Sequence, residues 1–225
     1  METLSFTCED GVRLEGELRL PDGDPRGSAA ICHAHPRLGG SKDHPLLWAI
    51  RNELAGAHGF AVLAFNFRGT MGSGGSYGGG RDELRDARAA VGAVRTHVPD
   101  GLPTLLVGWS FGASVALRAA IDDRRIDAIA LVGMPMTPKD LSLPPRPEPA
   151  DLRVLTRPVL LVAGEHDEHC PPATMRAYAE GFPRAEVVVV DGTDHYFWRR
   201  EKEAAGLVAD FAERVLDLRP RDDLR

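Results

Sequence analysis

Polar and apolar residues alternate along Val12 to Leu20, VRLEGELRL. A period of two puts one face of an extended strand in the core and the other toward solvent. Leu4 to Thr7 precedes the Glu9-Asp10-Gly11 turn and is placed to pair with it. Six further stretches are apolar almost throughout: Ser28–His33, Phe60–Phe67, Thr104–Val107, Ile126–Val132, Val159–Ala163 and Ala185–Val190. Strands of this kind are buried on both faces. Helical spacing of apolar residues separates them, over Leu46–Ala55, Asp82–Val94, Phe111–Ile121, Ala173–Ala179 and Glu203–Val215. Strand–helix alternation predicts an α/β fold, a mostly parallel sheet of about eight strands with helices on both faces.

Two stretches break the pattern. Gly69 to Gly80, GTMGSGGSYGGG, is glycine-rich between a strand and a helix. Pro135 to Pro149 is proline-rich and too short for a second domain. A surface loop or minimal lid is expected over 134–156, without a substantial cap. The reading is one domain over 1–217 and a tail at 218–225. A chain of 225 residues suits one core.

Composition narrows the class. Apolar residues make up 43% and charged residues 27%, as in soluble globular proteins. The net charge of −6 and scattered basic residues argue against nucleic acid or an anionic membrane as partner. The start, METLSFTCED, lacks signal-peptide character, and no apolar run approaches the ~20 residues of a span. Cys8, Cys32 and Cys170 cannot all pair within one chain, so reduced thiols and a cytoplasmic location are expected. Oligomeric state is not legible.

The chemistry starts at Gly108-Trp109-Ser110-Phe111-Gly112. GWSFG fits the G-x-S-x-G nucleophile elbow and sits directly between an apolar strand and a helix. So sharp a turn needs Gly108 and Gly112 on its flanks, because the nucleophile's backbone is strained and closely packed. A serine hydroxyl needs a base. Only His166, His169 and His195 follow Ser110, and His195 lies in the loop just after the last strand. The acid belongs after the preceding strand, in GEHDEHCPP, where Glu165, Asp167 and Glu168 compete. An oxyanion needs two N–H donors. Phe111 opens the helix after the serine. In the loop HAHPRLGG, Pro36 has no N–H, which leaves the His35 amide as the choice.

Other site classes lack their partners. His166-Asp167-Glu168 fits H-x-E, but no P-C-x-x-C follows, and H-E-x-x-H is absent. His33 and His35 form an H-x-H pair that reads as loop-shaping or metal-binding. The glycine-rich loop has neither G-K-[ST] nor G-x-G-x-x-G. The expectation is no cofactor and no metal. Trp109, Tyr196 and Phe197 adjoin the candidate residues and are open to pocket lining or core packing.

Together HAHPRLGG, FNFRGTMGSGG, GWSFG, GEHDEHCPP and DGTDHYF resemble the small, lidless α/β-hydrolases near the dienelactone-hydrolase and serine-esterase branch. The resemblance runs from about residue 3 to 217. It implies Ser110 as nucleophile, His195 as base, Asp167 as acid, and the amides of His35 and Phe111 as oxyanion donors. It implies a small carboxylic ester or thioester as substrate, and places Arg68 near the substrate. Two positions depart from the pattern. Ala34 stands where the family often has proline, and Ser110 where dienelactone hydrolases proper have cysteine.

Overall fold

A computed structural model describes residues 1–136 and 143–216. Part of the proline-rich loop and the expected tail at 218–225 lie outside the described residues. The chain forms β1 (Glu2–Thr7), β2 (Arg13–Arg19), β3 (Gly27–Cys32), α1 (Pro45–Gly56), β4 (Phe60–Phe65), α2 (Glu83–Arg95), β5 (Thr104–Trp109) and α3 (Phe111–Asp122). It continues with β6 (Ala128–Val132), α4 (Pro149–Val154), β7 (Val159–Gly164), α5 (Pro172–Ala179), β8 (Ala185–Val190) and α6 (Glu201–Val215). A short 3₁₀ turn, Pro36–Leu38, follows β3. This turn and α4 have no hydrophobic period long enough to read. Proline and a capping box form α4, with Glu148 and Asp151 bonding each other's backbone.

The eight strands make one sheet in the order β1-β2-β4-β3-β5-β6-β7-β8. β1 and β2 run antiparallel to their neighbours, and all later pairs are parallel. The pleat sorts each strand between two cores. On β4, Ala61, Leu63 and Phe65 face the α2, α3 and α5 side, and Phe60, Val62 and Ala64 face α1 and α6. Ala87, Ala90, Val91, Ala113, Ala116 and Ala120 keep α2 and α3 close to the first face. Leu46, Leu47, Ile50, Leu54, Val208 and Phe211 cover the second.

Strand order places the site. After β3 the chain crosses outward to β4, then returns past β3 to β5 and continues the other way. The crossovers therefore diverge beyond the C-terminal ends of β3 and β5, where Cys32 pairs with Gly108. A crevice opens at such a switch point.

Leu63 is fully buried in a central strand, between Leu18 and Ala30. Leu63→Ala should cost about 3 kcal/mol in urea unfolding. Leu20→Ala, at a half-exposed position, should stay within about 0.5 kcal/mol.

Candidate active site

β5 passes directly into α3 through Ser110, with φ 56° and ψ −120°. A serine at positive φ is strained and persists only where its surroundings over-determine it. Here Ser110 N donates to Val132 O on β6 at 2.9 Å, and Ser110 O accepts from Ala113 N at 2.9 Å. A Cβ on Gly108 would collide with the Gly112 carbonyl, and one on Gly112 with the carbonyls of Cys32 and His33. The two glycines let α3 seat against the end of β3. Ser110 then heads the helix axis, beside the first N–H groups of α3.

His195 Nε2 lies 2.9 Å from Ser110 Oγ. His195 Nδ1 lies 2.9 and 3.0 Å from the two oxygens of Asp167. A carboxylate partner fixes the proton on Nδ1 and leaves Nε2 to accept from the hydroxyl. Asp167 Oδ1 also accepts from the amides of His169 and Cys170, at 2.9 and 2.8 Å. These donors fix the orientation of the carboxyl group. All three side chains are nearly buried.

The supporting loops hold one another. Glu165 N donates to Val190 O, His166 N to Thr193 O, and Gly192 N to the Glu165 carboxylate. Glu165 thereby ties the turn after β8, and Glu168 is exposed. Asp167 is the carboxylate turned inward, 2% exposed. Trp109 Nε1 donates to His195 O at 3.1 Å, fixing the loop that carries the imidazole. Gly133, at φ 55°, brings β6 so close that a Cβ would stand 3.3 Å from both His195 Nδ1 and Asp167 Oδ2.

Ala34, His35, Ser110 and Phe111 line one cleft of about 140 Å³ with Trp109, His195 and Tyr196. The His35 ring shapes its turn. Nδ1 accepts from Arg37 N at 3.2 Å, and Nε2 meets the Tyr77 hydroxyl at 3.0 Å. His33 is also spent on structure. Its Nε2 accepts from Phe67 N at 3.0 Å, so the proton on Nδ1 faces Ala34 O at 2.6 Å. Both rings of the H-x-H pair thus serve loop geometry. Among the described residues, no three His, Cys, Asp or Glu side chains form a metal-holding group. Burial pushes the thiols of Cys8, Cys32 and Cys170 up, keeping them protonated, and all three are free.

Two expected pocket residues lie elsewhere. Arg68 points away from the cleft and pairs with the fully buried Asp86 at 2.7 Å and with Asp10 at 2.9 Å. The charge at the end of β4 ties strand to helix, because a buried guanidinium is stable only beside carboxylates. Phe197 is fully buried with the α1 and α6 core, its backbone at φ 56°. Its neighbours diverge from it, Tyr196 into the cleft and Trp198 outward.

Sequence reasoning missed His44, His169, Tyr77 and Leu38. His44 caps α1 through Leu46 N at 3.3 Å and lies against Trp109, ring centroids 4.1 Å apart. The signal was the following Pro45, a residue favoured at the first helical position. His169 packs edge-on to His195 at 4.7 Å. Tyr77 anchors the glycine-rich loop beside His35 and Phe111. That loop is pinned, not loose: Glu83 accepts from Gly78 N and Gly80 N, and Glu15 from Gly72 N.

Burial lowers the His33 imidazole from its usual 6.5 to about 4. The unfolded chain takes up that proton first, so His33's contribution is complete above about pH 6.5 and is lost progressively toward pH 4. Unfolding free energy should drop by about 2–3 kcal/mol from this group between about pH 7 and pH 4.5. His33→Gln should flatten that part of the profile, read by urea denaturation at both pH values.

Comparison with known proteins agrees with the geometry. The Rickettsia prowazekii genome encodes an uncharacterized protein 24% identical to this chain, covering 94% of this chain and 88% of the relative. An alpha-beta serine hydrolase homologue from Coxiella burnetii superposes with a TM-score of 0.80 at 26% identity, over 93% of this chain and 96% of that one. A serine hydrolase without a lid from Xanthomonas campestris gives 0.80 at 26% identity, over 97% and 96%. Residues 27–217 match the alpha/beta hydrolase domain family, and the chain belongs to that family.

Proposed function

We propose that this hydrolase cleaves small carboxylic esters or thioesters through an acyl-enzyme on Ser110. The observation that carries the reading is His195, bonded at once to Ser110 Oγ and to Asp167 while Ser110 sits on a strained elbow. In the first step Ser110 Oγ attacks the carbonyl carbon and its proton passes to His195 Nε2. The carbonyl oxygen becomes an oxyanion facing the amides of Phe111 and His35, each worth on the order of 3 kcal/mol. Asp167 holds the tautomer and stabilises the imidazolium. Collapse breaks the bond to the leaving oxygen or sulfur, which takes the proton from Nε2. Water then gives a proton to His195 and attacks the acyl carbon. The acid departs and Ser110 regains its proton.

A fluorophosphonate probe should label the wild type and leave Ser110→Ala unlabelled. Absence of wild-type labelling, or equal labelling of the variant, would sink the reading. Asp167→Asn should lower kcat on a simple ester by roughly 10³- to 10⁴-fold. Glu165→Gln and Glu168→Gln should leave kcat within about twofold. Product analysis with added alcohol separates hydrolysis from acyl transfer.

A further inference from the structure

We propose that an aromatic shelf of His44, Trp109, Tyr196 and Trp198 binds the alcohol portion of the substrate and selects an aromatic group there. This rests on the ester-hydrolase reading. The shelf is continuous. Trp109 lies 4.1 Å from His44 and 6.2 Å from Tyr196, and Trp198 lies 5.8 Å from His44 and 6.2 Å from Tyr196, stacked on it at 22°. Its outer members remain 46% and 54% exposed, although Phe197 between them is wholly buried. The chain adopts positive φ at Phe197 and Arg199 around that exposed tryptophan. Such strain points to function when the surroundings hold it in place.

The side of the cleft follows from the proton path. The imidazole that accepts the Ser110 proton must hand it to the leaving oxygen. The carbonyl oxygen faces His35 and Phe111, so the leaving group lies on the His195 side. Tyr196 stands there, its ring 5.6 Å from that of His195 and nearly perpendicular to it. The chemistry of the group follows from the walls. Among the described residues, no Asp, Glu, Lys or Arg lines the cleft. An anionic alcohol would lose hydration without gaining a partner there. Aromatic faces and edges favour a ring over a saturated group of equal size.

Benzyl acetate and cyclohexylmethyl acetate share an acyl group and differ in that ring. Wild type should favour benzyl acetate by about 3- to 10-fold in kcat/KM. In Tyr196→Leu/Trp198→Ala the ratio should fall to about one, with an unchanged far-UV circular dichroism spectrum as the check on folding. A wild-type ratio near one, or a ratio unchanged in the variant, overturns the proposal. So does a variant whose discrimination among methyl acetate, butyrate and hexanoate changes instead, since the shelf would then serve the acyl side. Binding to Ser110→Ala separates the two readings. Tryptophan fluorescence should respond to benzyl alcohol at lower concentration than to cyclohexylmethanol, and an equal response counts against the shelf whatever the turnover. Acetate hydrolysis persisting in Ser110→Ala counts against the acyl-enzyme instead.

Discussion

Everything near the site depends on how closely α3 approaches the end of β3. Gly108 and Gly112 permit that approach, and larger residues at either position would strike backbone carbonyls. The contact fixes Ser110 at a φ that serine avoids, supported by its bond to Val132 on β6. It also brings the 34–40 loop and the first turn of α3 to opposite sides of one small volume. Proximity here is a property of backbone packing, so it is present before any substrate arrives. In the proposed reaction, donors held in this way would need no reorganisation as charge develops.

The layers of support run outward from that contact. His33 joins the β3 loop to Phe67 at the end of β4, and Tyr77 joins the same loop to the glycine-rich segment. Arg68 and Asp86 then fasten the end of β4 to α2, with Cys8 donating to the same carboxylate. Each link is a polar pair, and all but that of Tyr77 are buried. Losing one partner leaves the other unsatisfied, and that penalty resists local loosening. Rigid walls result from strands, helices and loops that meet through hydrogen bonds as well as apolar contact.

The sheet was legible because two-sided burial writes itself as apolar runs, and β4 and β7 read directly as FAVLAF and VLLVAG. The serine elbow was legible for a similar reason, since close packing demands glycine at fixed offsets. The carboxylate that meets His195 was less so. Glu165, Asp167 and Glu168 share a loop, and only burial against His195 distinguishes Asp167. The resemblance misled at Arg68, and linear nearness left Phe197 open between cleft and core. A strand end can turn its side chain behind the sheet, and a positive φ can rotate one residue of an aromatic triplet into the core. His44 and His169 come from distant segments and meet His195 or Trp109 only through the fold. Spatial pairs of that kind leave no period in the chain.

Among the described residues, ionic side chains stay out of the cleft. The described residues are rich in ion pairs, and Arg68, Lys42 and Arg51 pair with Asp10, Asp86, Glu17 and Asp43 within the scaffold. Burial lowers the His44 imidazole below its usual range, favouring the neutral form beside Trp109. Asp167 is therefore the carboxylate in hydrogen-bonding contact with His195. Among the described residues, an imidazolium formed during the proposed reaction meets its counter-charge on the Nδ1 side. Its Nε2 proton is left facing Ser110 and the leaving group. In the proposed reaction the direction of proton delivery would thus be set by where the scaffold neutralises its other charges, as much as by the three residues in line.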